Sequence, residues 1–267
     1  MTIIPGYDRV KLYSPSIPLE SSLNKMRLTT YSDFILRQRM GKHRPVFKFY
    51  AATDDGYILH WGLVNAKECK DAPACTISFN VGTKTPDEIR EKLLQLFGPI
   101  EQMEIHNLET KVDLYGISFK EALKSLLVPG KQIITEKWKT SIYFGSLLTS
   151  HHQIICYDKG FKENSQPNQW IRIEAKEIFQ HDRPKVEAWL SGQWKPVKPF
   201  KAAILIDYSL LPFSPGEKVS LGIRGLTGLI KTLPEGKKRS IINSAKANIK
   251  LDFNEEFERW VNCWLDN

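Results

Sequence analysis

Residues 83–130 read TKTPDEIREKLLQLFGPIEQMEIHNLETKVDLYGISFKEALKSLLVPG, and two periods alternate within them. Thr85 suits a helix N-cap, Pro86 the first helical position, and Glu88 closes a capping box. Ile89, Leu93, Leu96 and Phe97 then share one face of a 3.6-residue period, which Gly98 ends. In the next stretch the period drops to two. Asn107, Glu109, Lys111 and Asp113 share one strand face, and Leu108, Thr110, Val112 and Leu114 the other. Ser118 and Glu121 then make a second capping box, opening another helix. A further strand, CTISFNVG (75–82), precedes the first helix, so a strand–helix pair occurs twice. The spacing predicts an α+β fold: a mixed or antiparallel sheet, helices on one face, and ferredoxin-like strand–helix repeats.

The same periods extend outward. VFKFYAATDDGYILHWGLV (46–64) predicts a hairpin turning at Asp54-Asp55-Gly56. Strands are expected at 141–146, 153–159, 169–177 and in AAILIDYSLL (202–211), with a short helix, DRPKVEAWLSG (182–192), capped by Asp182. Near Pro215 the composition turns Gly/Pro-rich and basic, and IINSAKANIKLDFNEEFERWVNCWLDN predicts helix. Three segments follow: 1–45, a basic N-terminal arm or helix; 46–214, an α+β domain; and 215–267, a basic, mainly helical C-terminal segment.

Composition narrows the function classes. Hydrophobic residues make up 42% of the 267 and aromatic residues 11%, enough for a folded core. No apolar run approaches the ~18 residues of a membrane span, and no secretory start is present, so a soluble cytoplasmic protein without membrane partners is expected. The net charge of +8 favours a polyanionic partner, nucleic acid first. Cys69, Cys75, Cys156 and Cys263 make no zinc spacing and read as free thiols.

Three strands offer polar faces that one sheet can juxtapose. The first carries Glu109, Lys111 and Asp113; the second, QWIRIEAKE, carries Trp170, Arg172, Glu174 and Lys176; the third, QIICYDK, carries Gln153, Ile155, Tyr157 and Lys159. A salt-bridged, solvated sheet face is the plain reading of each strand alone. Glu109 and Asp113 lie ~13 Å apart along a strand, so one ion needs a carboxylate from a neighbouring strand as well. Oxygen donors of this kind suit Mg²⁺ or Mn²⁺. His106, His151 and His152 lie near these segments, where a lone histidine is more often structural.

TSIYFGSLLTSHHQIICYDKGFKE (140–163), followed by QWIRIEAKEIF, resembles the replication initiation factor family, the rolling-circle initiators of plasmids, filamentous phages and integrative elements. The resemblance rests on Thr140, Tyr143, Gly145, Ser146, Tyr157-Asp158-Lys159, Trp170, Arg172 and Glu174, with NLETKVD as the upstream acidic strand. Asn107 stands where that strand usually has arginine. The resemblance implies a metal-dependent nicking and joining enzyme that leaves a 5′-phosphotyrosine and a free 3′-OH. Tyr157 would be the nucleophile beside Lys159, with Glu109, Asp113 and Glu174 as Mg²⁺ or Mn²⁺ ligands. Tyr143, Ser146, Lys111 and Arg172 would hold the DNA, as would Lys237, Lys238 and Arg239 of the basic tail. The alternative is an origin or single-stranded DNA-binding protein that does not cut. Trp260 and Trp264 share a helix face whose cover is the chain itself, a second subunit in a homodimer, or a helicase.

Overall fold

The computed structural model describes residues 1–32, 35, 45–67, 69, 71–130, 133–135, 140–145, 151–163 and 169–266. In chain order the elements are β1 (Thr2–Ser14), α1 (Glu20–Leu23), β2 (Arg27–Thr30), β3 (Phe47–Ala52), β4 (Ile58–Leu63), β5 (Cys75–Asn80), α2 (Pro86–Phe97), β6 (Glu104–Tyr115), α3 (Phe119–Ser125), β7 (Leu126–Leu127), β8 (Ile133–Thr135), β9 (Ser141–Phe144), β10 (His152–Asp158), α4 (Lys159–Lys162), β11 (Trp170–Ile178), α5 (Val186–Leu190), β12 (Ile204–Ile206), a 3-10 turn (Tyr208–Leu210), α6 (Pro215–Thr232), α7 (Glu235–Ala247), β13 (Ile249–Asp252) and α8 (Phe253–Leu265). The fold is α+β, built on antiparallel sheet, with a helical C-terminal segment.

The chain divides into two compact units. The N-terminal unit comprises Tyr7–Glu109, Ile178–Lys195 and Cys263–Asn267; the C-terminal unit comprises Met1–Gly6, Thr110–Glu177 and Pro196–Asn262. Strands β1 and β6 run on from one unit into the other.

In the N-terminal unit the strand order is β2-β3-β4-β5-β1-β6, and neighbours from β2 to β1 pair antiparallel. Gly56 takes φ +87° at the expected hairpin turn, which Thr53 closes through hydrogen bonds with Tyr57. Burial follows the alternation: Val10, Leu12, Leu59, Ile77 and Phe79 are core residues. Helix α2 buries Ile89, Leu93, Leu96 and Phe97, and its complete capping box joins Thr85 and Glu88 at 3.2 and 2.8 Å. Each buried apolar side chain contributes about 1.5–3 kcal/mol, whereas a cap contributes about 1 kcal/mol. The buried face therefore holds α2, and the cap sets where it starts.

In the C-terminal unit the order is β1-β6-β11-β10-β9-β8, with a smaller sheet, β13-β12-β7. Leu127, Ile204, Ile206, Leu221, Leu226, Leu229, Ile230 and Ile241 form a core around that smaller sheet. Helix α6 starts on a complete capping box of Ser214 and Glu217, with Pro215 in its first turn. The Gly/Pro-rich composition at this point thus marks a helix start. Gly225 breaks the helix at φ +67°, and a Cβ there would lie 2.8 Å from the Leu123 carbonyl. Only glycine meets both demands.

Three local expectations change in the structure, and one lies outside the described residues. Residues 2–14 form a long strand, because an alternating apolar set (Val10, Leu12) is buried in the sheet. Residues 33, 34 and 36–44 of the basic arm lie outside the described residues. Asp182 does not cap the short helix: it sits at φ +50°, and α5 starts at Val186 after Lys185, which makes no side-chain cap. Pro184 disfavours helix at Arg183, and hydrogen bonds from Ile105 to Pro184 and from Val186 to Met103 hold the segment extended beside β6. Only half of the Ser118 box forms, at 3.3 Å, because the Glu121 carboxylate is drawn to Lys124 (2.6 Å) and the Tyr208 hydroxyl (2.7 Å).

Candidate functional site

The site lies on the sheet of the C-terminal unit, where β6, β11 and β10 adjoin. Register sets its face. Tyr157 pairs with Arg172, Ile155 with Glu174 and Gln153 with Lys176 across β10 and β11. Directly opposed residues share a face. The polar faces read from alternation therefore meet in the fold.

Tyr157 is 5% exposed, and its hydroxyl donates a hydrogen bond to Oε1 of Glu174. Arg172 lies 3.8 Å from that same oxygen and forks onto Asp113, with Nε to Oδ1 at 2.7 Å and Nη2 to Oδ2 at 2.8 Å. Trp170 adds an indole N–H to Asp113 Oδ1 at 2.9 Å, and Lys111 reaches Oδ2 at 3.2 Å. Burial alone would push the Asp113 carboxyl up. The Arg172 hydrogen bonds and charge, helped by Lys111 and Trp170, outweigh it and hold the group below the ordinary aspartate range. Asp113, expected as a metal ligand, thus has both oxygens spanned by donors.

Lys159 is not part of strand β10, as continued alternation would require. Strand β10 stops at Asp158, whose side chain accepts the Phe161 N–H at 2.8 Å and caps the single turn of α4. The capped turn carries Lys159 off the strand. It pairs with Glu163 and lies 5.7 Å from the Trp170 ring centroid. Lys162, one turn on, holds its ammonium 3.8 Å from the centroid of the Tyr157 ring. Sequence reasoning missed Lys162. Its signal is present once Asp158 is read as an N-cap, since a helical period then applies to Lys159 and Lys162.

The other expected residues fall as follows. Tyr143 pairs with Ile155 across β9 and β10, half-buried and on the face of Tyr157. Ser146 lies outside the described residues. Glu109 belongs to the N-terminal unit, half-buried, with the Asn107 amide 3.4 Å from its Oε1. Asp8 is another half-buried carboxylate of a kind that can bind a cation, and no motif pointed to it. His152 is buried with Nε2 2.6 Å from the Pro199 carbonyl, a structural contact. His106, in the N-terminal unit, stacks on Tyr13 at 4.2 Å; burial, then Lys11 and Arg183, push its pKa down to about 4. Burial, with Asp158 beside it, pushes the Cys156 thiol far up, as suits a packing residue.

In the basic tail, Lys237 pairs with Glu217 at 2.7 Å and Lys238 with Glu235 at 3.4 Å, while Arg239 is exposed on α7. Trp264 is nearly buried; its indole donates to the Lys84 carbonyl at 2.8 Å and stacks on Trp189 at 5.4 Å. The chain itself covers that tryptophan, which leaves a helicase or second subunit no claim on it. Trp260 packs on Phe257 at 5.7 Å.

No family model and no curated protein matches the chain. Among solved structures it is similar to the rolling circle replication initiator protein from Geobacillus stearothermophilus: 11% identity, 99% of this chain and 97% of that chain covered, TM-score 0.44. Among the described residues no helix is long and apolar enough to cross a membrane.

Chemically, the arrangement joins a phenol, a carboxylate that accepts its hydrogen bond and a cation over the ring. A phenol is a weak nucleophile until a base or charge activates it. The Tyr157 hydroxyl is hydrogen-bonded to Glu174, and Arg172, which forks onto Asp113, lies 3.8 Å from the same carboxylate.

Proposed function

We propose that the chain is a metal-dependent tyrosine DNA nickase that starts rolling-circle replication. The observation that carries this reading is the hydrogen bond from the Tyr157 hydroxyl to the Glu174 carboxylate. Tyr157 Oη attacks the scissile phosphorus as its proton passes to Glu174. The bond from phosphorus to the 3′ oxygen breaks, and that oxygen takes a proton from water. The products are a 5′-phosphotyrosine and a 3′-OH that primes synthesis. Mg²⁺ or Mn²⁺ would stabilise the charge that builds on the phosphate. Glu174 of the C-terminal unit and, separately, Glu109 of the N-terminal unit each offer the hard oxygen donors such an ion takes. Asp113, already spanned by Arg172, is assigned to positioning. Lys111 and Arg172 act through Asp113, Tyr143 lines the DNA path, and residues 215–267 add basic contacts to duplex through Arg239.

A labelled single-stranded origin oligonucleotide with Mn²⁺ tests this. The wild-type chain should form a covalent adduct, Tyr157→Phe none, and Tyr143→Phe should keep forming it. Adducts that survive in Tyr157→Phe but not in Tyr143→Phe would reverse the assignment. A second reading rests on the burial of Tyr157, which a phosphodiester must reach: a protein that binds origin DNA without cutting it. That reading expects a salt-sensitive shift with no adduct.

A further inference from the structure

Four cations of the C-terminal unit touch residues of this face: Lys111 and Arg172 at Asp113, Lys159 at Trp170 and Lys162 at Tyr157. Three are committed. Lys111 and Arg172 are paired with Asp113, and Lys159 with Glu163. Among the described residues, Lys162 has no carboxylate partner; its ammonium sits over the Tyr157 ring at 3.8 Å. Asp158 caps α4, the single turn that carries Lys159 and sets Lys162 over the Tyr157 ring.

We propose that Lys162, rather than Lys159, is the cation that grips the scissile phosphate. The inference rests on the nickase reading given above and names a residue that reading does not use. An ammonium on a flexible four-carbon stem can leave the ring face for a phosphate bonded at Oη of that same side chain. The π contact keeps it poised there without a carboxylate that DNA would have to displace. Arg172 cannot do this without leaving Asp113. Lys159 would have to give up Glu163.

The test uses the full chain and its Lys162→Gln, Lys162→Arg and Lys159→Gln variants. Binding of the single-stranded oligonucleotide is measured against salt in a Tyr157→Phe background, and adduct formation in the Tyr157 background. Lys162→Gln should flatten the log–log salt dependence by about 0.7 of a unit, one phosphate contact on a single strand. It should also raise the half-saturating DNA concentration about tenfold. Lys162→Arg should restore both. Thermal unfolding should not move, since Lys162 is exposed. An unchanged slope in Lys162→Gln, or a slope lost only in Lys159→Gln, overturns the proposal. A wild-type chain that binds with the Lys162-dependent slope but forms no adduct removes the nickase reading and leaves the Lys162 contact standing.

Discussion

Asp113 and Glu104 lie on one strand, β6, and each faces two cationic side chains, yet water treats them differently. In the C-terminal unit the Asp113 side chain is 4% exposed and that of Arg172 7%, and the pair is bidentate. In the N-terminal unit Glu104 is 30% exposed and Lys185 48%, with contacts of 2.8 Å to Lys185 and 3.4 Å to Arg183. The Glu104 carboxyl is also held low, first by the Lys185 hydrogen bond, against burial, then by Arg183. A shift in the same direction thus comes from two different energies. Removing one member of a buried pair strands the other in a poor solvent. Removing one member of a solvated pair lets water replace it. The first arrangement fixes geometry; the second barely constrains it. The buried pair is the one beside Tyr157 and Glu174.

The largest expected effect breaks the buried pair. Asp113→Ala should cost about 3–5 kcal/mol, because the buried Arg172 loses its bidentate partner and keeps only the longer contact to Glu174. Urea midpoints measure it, and a loss below 1 kcal/mol would mean that Arg172 finds water and that the contrast with Glu104 is false. Replacing both partners, Asp113→Leu with Arg172→Met, should recover most of the stability. The double variant should still lose adduct formation, since Glu174 loses its support.

Acid should separate the two units. The pKa of His106 in the N-terminal unit is lowered to about 4, so the unfolded chain binds its proton first. Its contribution is complete above about pH 6.5 and is lost as pH falls through 4. The Asp113 carboxyl is also lowered, so its contribution is complete above the usual aspartate range, near pH 4, and is lost only below it. Hydrogen exchange followed from pH 7 to 3 should therefore show amides around His106 losing protection before those around Asp113. Loss in the reverse order would contradict both assignments.

Helix caps give a smaller contrast. Thr85→Ala removes a complete box in the N-terminal unit and should cost about 1 kcal/mol. Ser118→Ala removes half a box in the C-terminal unit and should cost less, since Glu121 keeps Lys124 and Tyr208. Equal losses by thermal melting would show that the backward arm of the box adds nothing here.

The smallest effect is Glu104→Gln, about 0–1 kcal/mol at low salt and fading at high salt, as befits a solvated pair. A salt-independent loss of several kcal/mol would place Glu104 in the same class as Asp113.

What residues alone determined here is what depends on neighbours in the chain. The Thr85 box and the buried face of α2 formed as read, because a cap reaches three residues and a helix repeats every 3.6. The alternation in 104–115, 152–158 and 170–178 determined which side chains share a face, so Tyr157, Arg172 and Glu174 were legible as one set. Tertiary structure decided what depends on strands distant in sequence. Asp113 reads identically as a ligand or as an ion-pair partner until register sets Arg172 beside it, 59 residues on. Pairing beside β6 moved the start of α5 past Asp182. At the end of β10, which lysine lies over the Tyr157 ring turned on one hydrogen bond, from the Phe161 N–H to Asp158. A strand that continues and a strand that ends in a cap use the same residues. The packing around Asp158 selects the second, because a buried carboxylate needs a donor and the first turn of a helix has one to give.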